Sequence, residues 1–397
     1  MTRSEFVKVC GLLGISLPFQ SVLHACSTDD NGGDPIESSE SVLIIGAGAA
    51  GMAAGHLLAQ QGIDFRILEA SSRYGGRTKR NNSFADFPIP LGGEWLHVDT
   101  SVLSEIVNDP SVNINTQTVP YDLENDTAGY YDGSSLSVVP LGTVFGNDFI
   151  DRKFVGSSWF DFFETYVLPS VQSRITFNTP VTAIDYSGDK VTVTDDQGQT
   201  YSADRIIVTV PVKILQSGSI AFTPALPAAK QNAIQNVNVW GGFKAFFKFS
   251  NNFYPTYLAF DDSETPAGQR LYYDAAYGQN TNMNVLGLFS VGQQAEPYQA
   301  LSGDALRDYI LNELDAVFNG AASANYVDHI VQNWNEEPYA QGAYITDQEN
   351  WKMVRTLGES VNNKLYFAGD AYSDGEDWSS VHVAARSARA AVDEMVG

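Results

Sequence analysis

Gly46, Gly48 and Gly51 follow directly on the apolar run Ser41 to Ile45, and their G-x-G-x-x-G spacing suits the binding of a dinucleotide. The first glycine permits a tight strand-to-helix turn, the second lets backbone approach a pyrophosphate, and the third lets helix and strand pack closely. A pyrophosphate there would sit on the positive end of a helix opening at Ala49 and Ala50. Glu69, with Ala70 beside it, ends a second strand, Asp64 to Leu68. A carboxylate at that distance can accept both hydroxyls of an adenosine ribose. This unit does not by itself separate NAD from FAD. A second candidate centre is Lys244, set in the aromatic run Val239 to Phe249. Buried there it needs a partner or a lowered pKa, whereas strand alternation could equally place it with Lys248 on a solvent face. His97 is a lone histidine, a residue type that serves either as a structural hydrogen-bonding group or as an acid or base.

The elements that must position these groups alternate strand and helix. After Ser41 to Ile45 a helix spans Met52 to Gln61, closed by Gly62, before the second strand. Lys190 to Thr194 and Thr200 to Ser202 alternate as short strands around the turn Asp196-Gln197-Gly198, and Arg205 to Val210 reads as a buried strand closed by Pro211. Between Ser302 and Phe318, residues Leu306, Tyr309, Ile310, Leu314, Val317 and Phe318 fall on one helical face, which is a core-packing pattern. A chain of 397 residues is long enough for two domains.

A net charge of −24 argues against nucleic acid as a partner. The two cysteines, Cys10 and Cys26, both lie in the first segment, so the body has no thiol metal site or disulfide framework. The five histidines include no H-E-x-x-H pair, and no metal site is expected. Residues 1–26 read as an export signal: Arg3 and Lys8 are basic, Val9 to Phe19 is mostly apolar, and Leu23-His24-Ala25-Cys26 is lipobox-like. Cys26 would then carry a lipid on an exported, periplasmic or membrane-anchored protein, with residues 27–40 as a flexible tether. No other apolar run is long enough to span a bilayer.

Further motifs carry a family resemblance. Ser72-Arg73-Tyr74-Gly75-Gly76-Arg77, Leu91-Gly92-Gly93-Glu94-Trp95-Leu96-His97, Pro180 to Ile184, the Lys244 strand and Tyr366-Phe367-Ala368-Gly369-Asp370 appear in the order seen in flavin-containing amine oxidases, which the chain resembles from Ser41 onward. The resemblance implies non-covalent FAD. Its pyrophosphate and ribityl chain would be wrapped by Arg73, Gly76 and Arg77, with Gly92, Gly93, Glu94 and Trp95 close by. Val181 would serve the adenine, and Pro211, Trp351, Gly369, Asp370, Ser380, Val381 and Ala384 would complete the site. Two departures from the family pattern are Val383 in place of a glycine and the lack of a clear tyrosine for the second aromatic wall, a place Trp378 could take. Lys244 would hold a water beside flavin N5, Tyr344 would flank the substrate amine, and His97 would face the substrate.

The implied fold is α/β. It comprises a Rossmann-like, glutathione-reductase-type FAD domain from residues 41–97, 172–227 and 332–397, and an α+β substrate domain from 98–171 and 228–331. The implied reaction oxidises a small amine, a monoamine or polyamine, to an imine by hydride transfer to flavin, with oxygen returned as hydrogen peroxide. An L-amino-acid oxidase, a desaturase of the same superfamily or a non-catalytic FAD-binding surface lipoprotein are the alternatives.

Overall fold

Ser41–Ile45 is buried on both faces because its side chains alternate between two cores. Val42 and Ile44 join one apolar cluster, and Leu43 and Ile45 join another. Each such side chain, fully buried, stabilises the fold by roughly 1.5–3 kcal/mol. That two-sided demand explains the unbroken apolar run, which is the signature of a central parallel strand. The computed structural model describes residues 40–146, 149–345, 351–375 and 377–397. The export-type segment, Cys26 and residues 27–39 of the tether lie outside the described residues.

Five parallel strands form the first sheet, in the order Leu365–Phe367, Arg205–Val208, Ser41–Ile45, Asp64–Leu68, Ile175–Thr176. Helices Ala49–Gln60 and Val381–Val396 cover one face. The other face meets residues of a four-stranded sheet built from Val181–Asp185, Val191–Asp195, Thr200–Ala203 and Ala221–Thr223, with helices Ala228–Asn236 and Trp351–Gly358 beside it. A larger mixed sheet takes its central strands from Gly242–Phe249, Gly268–Asp274 and Asn284–Gly292, with Tyr326–Asn333 beside Gly242–Phe249. Helix Gly303–Phe318 packs Leu306, Ile310, Leu314 and Val317 onto it, as their spacing implied.

The stretch 98–171 divides between the two halves. Val102, Ile106, Trp159, Phe162, Phe163 and Val171 are buried against the dinucleotide-type core, whereas Thr127–Tyr131 and Leu136–Pro140 add strands to the large sheet. The physical reason is amphipathicity: the short helices in 101–107 and 159–171 turn their apolar faces to the nearest open flank, which is that of helices Ala49–Gln60 and Val381–Val396.

Candidate active site

The turn after Ser41–Ile45 is held by a bond from the Gly46 amide to the Leu68 carbonyl, 2.8 Å, with Gly46 at φ +107°. A Cβ on Gly51 would lie 1.9 Å from the Gly46 carbonyl oxygen, so only glycine lets the helix start this close to the strand. Gly48 differs: a Cβ there would meet no protein atom within 4 Å, because it would project into open space. Helix Ala49–Gln60 has no side-chain cap, which leaves its first amides available to an anion.

This turn opens one wall of a cavity of about 440 Å³, a volume usual for small-molecule sites. At one end Glu69 accepts hydrogen bonds from the Ala47 amide, 2.7 Å, and the Ser71 hydroxyl, 2.6 Å, which fix its carboxylate. Ala49, Ala50, Ala70, Val181 and Pro211 line the same cavity. Arg73 donates to the Gly76 carbonyl at 2.9 Å, and Arg77 forks onto both oxygens of Asp370. The guanidinium of Arg77 therefore orders a carboxylate in this structure, where the sequence pointed to phosphate as its partner. Gly76, Gly92, Gly93, Gly369, Ser380, Val381 and Ala384 also line the wall. A Cβ on Gly93 would come within 2.6 Å of the Val381 side chain, so that glycine is needed for the loop to meet the C-terminal helix.

The other end of the cavity is chemically distinct. Strand alternation does put Lys244 and Lys248 on one face, but that face is covered. Lys244 is 4% exposed, and its Nζ donates to Glu94 Oε2 at 2.6 Å, the Gly92 carbonyl at 3.0 Å and the Pro90 carbonyl at 3.2 Å. Three acceptors match the three donors of an ammonium. Glu94, expected among the cofactor contacts, turns its carboxylate to Lys244, to Lys153 at 3.1 Å and to the Tyr273 hydroxyl. Burial pulls Lys244 below its usual range and Lys153 adds to this, while Glu94 opposes it. Burial would raise Glu94, but the two lysines outweigh it and hold the carboxyl below its usual range.

His97 lines the cavity near Trp95, with 6.4 Å between ring centroids, and its Nδ1 lies 3.0 Å from Asp151 Oδ2. Burial would lower the imidazole pKa, but Asp151, helped by Asp377, raises it. Tyr344, Trp378, Phe289 and Asp377 line the cavity as well, and burial pushes the Tyr344 phenol up.

Of the expected site residues, two do not line this space. Gly51 acts through packing, as above. Trp351 is a correction: it is 45% exposed on the first turn of helix Trp351–Gly358, whose buried positions are Val354 and Leu357. No motif marked Asp151, Lys153, Tyr273 or Asp377. Asp151 and Lys153 are buried charges, a rarity that would mark them only once burial is known, and Tyr273 and Asp377 carry no sequence signal.

Residues 44–109 match the NAD(P)-binding Rossmann-like domain, and residues 166–396, more than half of the chain, match the flavin containing amine oxidoreductase family. The chain belongs to that amine oxidoreductase family. Polyamine oxidase 4 of Oryza sativa subsp. japonica is 25% identical over 90% of this chain and 88% of its own. Lysine-specific histone demethylase 1B of Mus musculus is 24% identical over 84% of this chain, which spans only 50% of that longer protein. A putrescine oxidase triple mutant has the same fold, with a TM-score of 0.73 at 16% identity over 89% of this chain and 98% of its own.

The family's cofactor fits the residues present. Open space at Gly48, uncapped helix amides and the fixed Glu69 carboxylate lie along the same cavity that Asp370 lines. The chain is an FAD-dependent oxidoreductase, and residues 27–397 contain no cysteine to bond the flavin covalently.

Proposed function

We propose that the protein oxidises a small amine, of the monoamine or polyamine type, to an imine. Bound FAD would take the hydride from the α-carbon and pass electrons to oxygen, giving hydrogen peroxide. The chain's own residues bind, orient and deprotonate. The observation that carries this reading is that His97, Lys244 and Tyr344 line the same cavity as the glycines and the carboxylate of the dinucleotide-type unit.

A cationic amine meets Asp377 and the aromatic walls of Tyr344 and Trp378, which attract an ammonium ion. Hydride loss needs the neutral amine, and His97 in its neutral form is the group placed to take that proton. Because Asp151 raises its pKa, His97 is a stronger base than a free imidazole but is deprotonated only at higher pH. Lys244 keeps a fixed positive charge, or a proton to exchange, at the inner wall.

An L-amino-acid oxidase of Vipera ammodytes ammodytes is also similar, at 24% identity over 65% of this chain. An amino-acid substrate calls for an arginine free to clasp a carboxylate. The two arginines lining the cavity are committed instead, Arg77 to Asp370 and Arg73 to the Gly76 carbonyl. This favours amines without a carboxylate.

Anaerobic addition of amines to FAD-loaded protein tests the proposal. Loss of flavin absorbance with spermidine, putrescine or a monoamine, and none with amino acids, is expected. Flavin that stays oxidised with every amine would overturn it.

A further inference from the structure

The loop Gly92 to His97 is held from behind by one short strand, Arg152–Phe154. Leu96 and Arg152 exchange backbone hydrogen bonds at 2.9 and 3.0 Å, which sets the register. On one side of that register Lys153 reaches Glu94 at 3.1 Å, and on the other Asp151 reaches His97 Nδ1 at 3.0 Å. Asp151 and Lys153 are 4% and 3% exposed, and neither lines the cavity. Arg152, between them, points away and donates to the Thr118 hydroxyl at 2.8 Å. Alternation along the strand thus sends two buried charges of opposite sign to two active-site groups and the intervening one elsewhere.

We propose that Asp151 is a positioning residue for the reaction, accepting the Nδ1 proton of His97 so that Nε2 is presented to the substrate amine. The inference rests on the reading of His97 as the amine's base. An acceptor on Nδ1 fixes the tautomer and ring plane, and a buried carboxylate strengthens the base it holds. The Lys153–Glu94 pair and the Leu96–Arg152 bridge fix the frame in which Asp151 meets the ring. Trp95 packs near the ring, and among the described residues the further charge acting on His97 is Asp377, before the C-terminal helix, whose Oδ2 lies 3.1 Å from His382 Nε2.

The test reads His97 directly in the flavin-free protein, by NMR titration of its ring resonances assigned with His97→Gln. Asp151→Asn should lower the His97 pKa by about one unit or more. Asp151→Glu should recover most of the shift. Arg152→Gln should leave it unchanged, and Asp377→Asn should lower it less than Asp151→Asn. In FAD-loaded protein, the acid limb of kcat/KM should move to lower pH with Asp151→Asn. Should Asp151→Asn fail to fold, Asp151→Ser gives the same readout. An unchanged His97 pKa in the neutral variant, or a larger effect from Asp377→Asn, would overturn the proposal. Failure of every amine to reduce the flavin would overturn the amine reading and leave the titration result intact.

Discussion

Lys244 and Glu94 form the most consequential pair of residues in the site, because each is buried and each depends on the other for its charge. Replacing Glu94 by Gln would strand an ammonium with only carbonyl acceptors. Breaking a buried pair in this way costs about 3–5 kcal/mol, which urea denaturation of the variant should register as a lower midpoint with an unchanged slope. Lys244→Met removes the charge and keeps the bulk. If Lys244 serves the oxygen half-reaction, stopped-flow absorbance should show it slowed by roughly 10²-fold or more, with the amine half-reaction affected much less. Equal rates in both half-reactions would remove Lys244 from the mechanism. The lysine was legible in the sequence as an anomaly, a cation in an aromatic strand. Its partner was not, because Glu94 sits 150 residues away and only the pairing of loop and sheet brings them together.

The glycines and helices that surround these residues can be tested one element at a time. Gly48→Ala adds a methyl group that meets no protein atom within 4 Å, so the flavin-free fold should keep its melting temperature while losing affinity for FAD. Gly51→Ala places a methyl group 1.9 Å from a carbonyl oxygen and should destabilise the protein with or without cofactor. Thermal melts of both variants, with and without FAD, separate the two roles that the spacing alone assigned. Lys230, on helix Ala228–Asn236, donates to the Thr356 and Leu357 carbonyls that end helix Trp351–Gly358, and burial lowers its pKa to about 7. Unfolded, the same lysine holds its proton up to about pH 10. Between these values the unfolded chain binds more protons, so stability rises with pH from about 7 to about 10 and is lost again on the way down. Lys230→Met should flatten that slope, measured by urea unfolding at a series of pH values; an identical slope in the variant would refute it. Elements with a strong period, such as Ser41–Ile45 and Gly303–Phe318, were legible in the sequence to within a residue or so. The partners of the short helices in 101–107 and 159–171 were not legible, since an apolar face says that a helix is buried and not against what.

At the scale of the whole molecule, the cavity draws its walls from residues near both ends of the described chain, from Ile45 to Ala384. Family motifs made the dinucleotide end legible because phosphate and ribose impose glycines and a carboxylate at fixed spacing. The other end is lined by side chains such as Phe289 and Asp377, with Asp151 behind His97, which meet only after folding and follow no spacing rule. Arg77 and Asp370, 293 residues apart in sequence, are hydrogen-bonded to each other in the wall of the cavity, which Gly48, Gly92 and Gly93 also line. Binding there ties distant segments to one another, so cofactor should stabilise the molecule as a unit. At free FAD of 100 times Kd the gain is about 2.7 kcal/mol for a ligand that binds only the folded state. Calorimetry should show the holoprotein melting at higher temperature in a single transition, with limited proteolysis slowed in the loops that line the cavity. Arg77→Met should reduce both effects, because it removes the fork that holds Asp370 in place. A melting temperature independent of FAD in the parent protein would mean that the cavity does not hold the cofactor its walls are built to receive.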